Sequence, residues 1–163
     1  MAAYHDHRVT WVYNRVRLID EDNKDIGNLE DSVPEYYGRR TITQAAWGSC
    51  ILGCATSYRA ASLMNTLPIG RHARAHDSWI QVMLHSKGYF FLDCPLQLYR
   101  LHGSNNAGWN KDTTSEQDRN MRDGYIELLR ELALNRKVKA TRRIFFYLLY
   151  LKKLGKRMVS QDL

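Results

Sequence analysis

The stretch from His76 to Asn105 carries polar side chains equipped for chemistry at places where structural elements should end. Asp77 stands at the head of an amphipathic stretch. Arg100, His102 and Asn105 follow an apolar run in Tyr99-Arg100-Leu101-His102-Gly103-Ser104-Asn105. Binding and catalytic groups are usually carried at such ends, on a scaffold that holds them. A carboxylate within hydrogen-bond reach of a hydroxyl can take its proton, and a guanidinium fork can hold two oxygens of a phosphate or carboxylate. Each residue also has a plainer use. Asp at a helix start is a common N-cap, Arg100 can pair with an acidic neighbour such as Asp93, and His102 can be an ordinary loop-edge histidine. His72, His76 and His85, spaced by 4 and 9 residues, do not match a compact zinc pattern.

The elements that must position these groups follow from periodicity and punctuation. Val9 to Tyr13, with Val16 and Leu18 beyond, predicts a strand running into the polar turn Asp20-Glu21-Asp22-Asn23-Lys24-Asp25. Residues 26–40, punctuated by Gly27, Pro34 and Gly38, predict an irregular excursion. Thr41 caps a short helix through Trp47. Cys50 to Tyr58 predicts a strand and turn, either where backbone approaches a ligand or as a site of small-residue packing. Arg59 to Asn65 predicts a short helix. His76 to Ser86 predicts a longer one, with Trp79, Ile80, Val82, Met83 and Leu84 on its buried face and Gly88 at its end. Tyr89 to Leu92 and Leu96 to Leu101 predict two strands separated by a turn at Pro95. From Ser115 the pattern becomes helical, with Met121, Tyr125, Leu128, Leu129 and Leu132 on one face, and a second helix begins near Val138. Strands and helices in this order imply an α/β fold rather than a bundle.

Composition narrows the partners. The formal net charge is +7, but residues 1–131 hold 15 Lys and Arg against 16 Asp and Glu, whereas residues 132–163 hold 9 against Asp162 alone. A neutral body with a basic tail does not suit a protein that tracks a nucleic-acid backbone along its whole face, and no nucleic-acid partner is expected. Cys50, Cys54 and Cys94 cannot all pair and show no C-x-x-C spacing, which points to a reducing cytoplasm. No apolar run approaches the roughly 20 residues needed to span a bilayer. Residues 136–157 place Ile144-Phe145-Phe146-Tyr147-Leu148-Leu149-Tyr150-Leu151 between Arg142-Arg143 and Lys152-Lys153. That layout suits an interfacial helix on an anionic membrane, or a helix packed through Phe145, Leu148 and Leu149 on the body or on a second copy.

The order Gly53-Cys54, Arg59, Pro68, His76-Asp77-x-Trp79, Gly88, Pro95-Leu96, Tyr99-Arg100-x-His102-Gly103-x-Asn105 resembles the C-terminal half of a family 2 glycosyltransferase of the GT-A fold, in its rhamnosyltransferase-like branch. The resemblance covers roughly residues 9 to 109. It implies a partial GT-A mixed sheet over residues 1–112, followed by a helical extension over 113–163. It also implies inverting sugar transfer from a nucleotide-sugar donor, UDP- or dTDP-linked, to a glycan or lipid-linked acceptor at the inner face of the plasma membrane.

By this resemblance Asp77 is the catalytic base and His102 a ligand to a divalent cation, Mg²⁺ or Mn²⁺. Gly53, Cys54, His76, Trp79, Arg100, Asn105 and Trp109 then contact substrate. Of the two tryptophans, Trp79 belongs by position with the buried face of its helix, and Trp109 is the better platform for an acceptor sugar. The donor-binding strand and the metal-binding Asp-x-Asp of the family have no counterpart before Val9, and Asp20-Glu21-Asp22 lies in a polar turn. The cation is therefore expected only when a donor-binding half is supplied. The exposed sheet edge is expected to be covered by such a polypeptide, covered by a second copy, or left bare in a truncated remnant. The alternative is a non-catalytic binding module derived from the same fold.

Overall fold

The computed structural model describes residues 6–32, 41–47, 53–73, 75–102 and 115–159. In chain order these form β1 (Val9–Ile19), β2 (Asp25–Asn28), α1 (Leu29–Ser32), α2 (Ile42–Trp47), a 3-10 turn at Gly53–Ala55, β3 (Thr56–Tyr58), α3 (Ala60–Met64), α4 (His76–Leu84), β4 (Gly88–Arg100), α5 (Ser115–Leu134) and α6 (Ala140–Val159). The fold is α/β, as expected, around an open mixed sheet.

β1 is the strand on which the others assemble. Along one edge it pairs in parallel with β4, from Val9↔Gly88 to Ile19↔Arg100. The other edge is shared by two short antiparallel strands, β3 opposite Trp11 to Tyr13 and β2 opposite Arg17 to Ile19. A parallel pair needs a long crossover, and the segment carrying α2, α3 and α4 supplies it between β1 and β4. Trp11 and Tyr13 with their register partners Tyr58, Tyr89 and Phe91 form an aromatic layer, with ring centroids 4.8–6.3 Å apart. Such pairs add to plain apolar burial.

The predicted turn at Pro95 is corrected. Residues 88–100 form a single strand, and the register jumps from Asn14↔Leu92 to Arg15↔Pro95, leaving Asp93 and Cys94 unmatched. A proline lacks the N–H that a ladder uses, and a bulge on an outer strand accommodates it without ending the strand. Asp93 then pairs with Arg15 rather than with Arg100. Residues 25–32 are also more regular than expected. DIGN has no strand periodicity of its own, but the free edge of β1 gives it a partner. Gly27, at φ 109°, turns the chain while its N–H donates to Asp25 Oδ1 at 2.9 Å.

Thr41 does cap α2. Its hydroxyl accepts from Gln44 N at 3.3 Å, while its own N–H donates to Gln44 Oε1 at 2.9 Å, a reciprocal capping box. A single buried cluster runs from Trp11, Val16 and Leu18 through Trp79, Val82 and Leu84 to Leu129, Leu132 and Phe146. Fully burying each large apolar side chain contributes about 1.5–3 kcal/mol. The helical pair α5–α6 thus shares the core of the sheet.

Candidate functional site

Asp77 occupies the first turn of α4, but the cap position belongs to Ala75, whose backbone is extended at φ −152°, ψ 156°. Freed from capping, the Asp77 carboxylate reaches across to the 3-10 turn. Its Oδ2 accepts the Gly53 N–H at 3.0 Å, and its Oδ1 accepts the N–H of Ser78 at 2.8 Å. Glycine keeps the approach uncrowded: a Cβ at Gly53 would lie 3.1 Å from His76 Nε2 and 3.3 Å from Asp77 Oδ2. Gly53, Cys54, His76 and Asp77, two groups of residues far apart in the chain, therefore meet.

Around this contact the chain supplies one further group that the sequence did not single out. Gln97 of β4 donates its side-chain N–H to the Cys54 carbonyl. Its Oε1 is buried and has no partner among the described residues. A buried unpaired acceptor is costly. Its signal in the sequence was an amide within the otherwise apolar and aromatic run Leu96 to Tyr99. Desolvation, and beyond it the charge of Asp77, raise the Cys54 thiol above its ordinary range despite nearby backbone N–H groups. A thiol so held is not a thiolate nucleophile.

Arg100 and His102 stand elsewhere, at the C-terminal end of β4. Arg100 spends its guanidinium on the turn after β1, donating to the carbonyls of Asp20 at 3.0 Å and Glu21 at 2.9 Å and to Asn23 Oδ1. Asp20 folds that same turn by accepting from Asp22 N at 3.0 Å and Lys24 N at 2.8 Å. Arg100 thus has a structural role in holding this turn. His102 is exposed just past the strand, five residues beyond Gln97, roughly 16 Å at the rise of an extended strand.

Trp79 is a core residue, as its place on the buried face of its helix predicts, and the substrate contact that the resemblance implied for it is corrected. Its side chain is 1% exposed, and its indole N–H donates to the Thr66 carbonyl at 2.8 Å. Gly70 makes room for the ring, since a Cβ there would come within 2.3 Å of it. Asn105 and Trp109 lie outside the described residues. Two long-range anchors brace the surrounding chain, one at Arg59, which the motif order includes, and one at Glu131, which the sequence did not single out. Arg59 Nε and Nη2 donate to the carbonyls of Val9 at 2.6 Å and Asp6 at 2.9 Å, fixing the chain after β3. Glu131 of α5 accepts from Arg71 N at 2.9 Å and His72 N at 3.0 Å, holding the approach to α4.

Among the described residues no three His, Cys, Asp or Glu side chains converge on a point that would hold a metal. His102 by itself is a poor fit to Mg²⁺ or Mn²⁺, which favour several oxygen ligands. None of the described helices is long and apolar enough to cross a membrane. On α6, Phe146 is fully buried and Leu149 and Tyr150 pack against the core, whereas Ile144, Phe145, Tyr147, Leu148 and Leu151 are exposed. No family model, curated protein or solved structure matches the chain.

Proposed function

We propose that these residues form the acceptor-side half of an inverting glycosyltransferase of the GT-A type, with Asp77 as the base that takes the proton of the acceptor hydroxyl. The observation that carries the reading is the bond from Gly53 N to Asp77 Oδ2, 3.0 Å across 24 positions. It holds one carboxylate at the mouth of a helix, beside His76 and within the reach of a turn that also bears Cys54. A carboxylate has about four lone-pair positions, so each Asp77 oxygen keeps one for a hydroxyl after accepting its backbone N–H. The parallel β1–β4 pair with a helical crossover is compatible with the GT-A sheet. Its outer edge is where a donor-binding half would add. Transfer consists of attack by the acceptor oxygen on the anomeric carbon, on the face opposite the departing nucleoside diphosphate, as the hydroxyl proton passes to Asp77. With a donor-binding half supplied, a divalent cation would neutralise the leaving diphosphate, and that half would have to supply most of its ligands.

A second reading is favoured by the same bond. Both Asp77 oxygens already hold backbone, which is how a carboxylate straps a turn to a helix in a binding module without catalysis. Two experiments decide. With a matching donor-binding half supplied, Asp77→Asn keeps the shape and should lower turnover by about 10²–10⁴-fold; near-normal transfer leaves Asp77 as a strap. Residues 1–163 alone, titrated with UDP- and dTDP-sugars and Mn²⁺, should show no metal-dependent binding, since the groups that stabilise a leaving diphosphate usually dominate both affinity and rate in such a site. Micromolar binding would reveal a donor site within this chain.

A further inference from the structure

At the far end of α4 from Asp77 the molecule has a concavity of about 130 Å³, lined by Val82, Met83 and Ser86, by Lys87, Lys137, Lys139 and Arg142, and by Val138 and Phe146. A single water needs only about 10–15 Å³ by such a measure, so the space admits a small polyatomic ligand. Four cations line it, and among the described residues no carboxylate does.

The arrangement is built by the fold rather than by chance proximity on a surface. α4 brings Val82 and Met83, and the turn after it brings Lys87. The bend between α5 and α6 brings Lys137 to Lys139, locked where Lys137 N donates to Asn135 Oδ1 at 2.9 Å and Val138 N donates to the Asn135 carbonyl at 3.0 Å. Lys137 Nζ is itself tied to the Leu67 carbonyl. Arg142 comes from the first turn of α6, one turn before the fully buried Phe146. The described ion pairs are Arg8–Asp6, Arg15–Asp93, Arg17–Asp25 and Arg130–Glu127, so the cations of this cavity are not among those neutralised by carboxylates.

We propose that this cavity is an anion-binding site for a phosphate group, on a face separate from the Asp77 contact. Cations drawn together without a counter-ion repel one another, and partial burial of Arg142 adds a desolvation cost that an anion would offset. Consistently, burial pushes the Arg142 guanidinium below its ordinary value. Arg142 supplies a planar fork for two oxygens and Lys87 and Lys139 supply rotatable ammonium donors, a set suited to a tetrahedral oxyanion. Nothing acidic in the lining selects for a zwitterion. The phosphate can belong to a soluble metabolite or to a lipid headgroup, and the two are separable.

The test uses the full chain and inorganic phosphate, at constant ionic strength, read by calorimetry. Wild type should bind saturably. Arg142→Gln and, separately, Lys139→Gln should weaken binding by roughly tenfold or more, as expected for loss of a charge-assisted hydrogen bond. Lys152→Gln, outside the lining, should not. Lys139 is exposed, so its variant keeps the fold even if Arg142→Gln disturbs α6, and circular dichroism checks both. Vesicles of phosphatidylcholine with phosphatidic acid form the second arm. Displacement of inorganic phosphate by these vesicles, absent with phosphatidylcholine alone, identifies a headgroup as the source; saturable phosphate binding that vesicles leave untouched identifies a soluble ligand. Absence of saturable phosphate binding, or equal binding by wild type and both lining variants, overturns the site. Neither result bears on Asp77, so the proposal and the glycosyltransferase reading fail independently.

Discussion

β1 and β4 are hydrogen-bonded neighbours, both rich in aromatic and aliphatic residues, the run of β1 broken by Asn14, Arg15 and Arg17 and that of β4 by Asp93-Cys94-Pro95 and Gln97, yet they live in different surroundings. Seven of the eleven residues of β1 are buried, and none of the thirteen of β4. Phe90, Leu96 and Leu98 of β4 are exposed at 43%, 62% and 69%. Composition therefore does not decide burial here. What decides it is pairing on both edges and cover on both faces, which β1 has and β4 lacks among the described residues. Strands in parallel pairs are ordinarily covered on both faces, and an uncovered edge is a template for further pairing. The difference is consistent with the proposal that a further polypeptide packs along β4.

The contrast breaks most directly under matched truncations. Leu18→Ala in β1, where the side chain is 2% exposed, should cost about 2–5 kcal/mol. Leu98→Ala in β4 should stay within about 0.5 kcal/mol in this chain alone. Urea unfolding of the two variants measures both. Equal costs would mean that β4 is covered after all. If a donor-binding half docks on β4, Leu98→Ala should become costly only in the assembled pair.

The same contrast recurs within α6, on a smaller scale. Its inner face, with Phe146, belongs to the core; its outer face, with Ile144, Leu148 and Leu151, is open. Residues 136–157 carry no acidic side chain, so self-pairing of α6 would set like charges together, whereas an anionic bilayer complements them. Leu148→Gln combined with Leu151→Gln should reduce flotation with anionic liposomes by roughly tenfold or more while leaving the unfolding midpoint nearly unchanged. Flotation equal to wild type would rule out the outer face of α6 as a membrane contact.

How much of this was legible in the residues varies with the range of the force that fixes each part. α4, α5, α6 and β1 were visible because periodicity is local, and the Thr41 cap because its partner Gln44 is three residues away. β2 and β3 were not, or only in part, because Asp25–Asn28 and Thr56–Tyr58 are too short to hold an extended form without the edges of β1. Pro95 misled for a definite reason: a proline ends a central strand but only bulges an outer one, and which strand is outer is a tertiary fact. At the candidate site, order along the chain marked Gly53 and Asp77, but nothing local showed them touching. Glu131 and Gln97 act across long separations and left at most a faint trace. Arg100 has the chemistry to grip a phosphate and instead holds a turn, because a guanidinium fits carbonyls as readily.

The smallest expected effect isolates β1 from β4 by titration. Tyr13 packs against Tyr89 and Phe91 with centroids at 5.7 and 4.8 Å. Burial, with a lesser contribution from Tyr89, raises its phenol from 10.0 to about 12. In the unfolded chain the same phenol ionises near its ordinary value, so between pH 10 and 12 the unfolded state releases a proton that the folded state retains. Stability from this group is complete below pH 10 and falls as pH rises through that window. Tyr125, also raised by burial, adds to the slope from α5. Tyr13→Phe should therefore flatten part, not all, of the alkaline loss of the urea midpoint, and Tyr125→Phe a further part. A wild-type slope unchanged by Tyr13→Phe would mean that the aromatic layer of β1 opens to water before it ionises, and that the two strands are less different than their exposures imply.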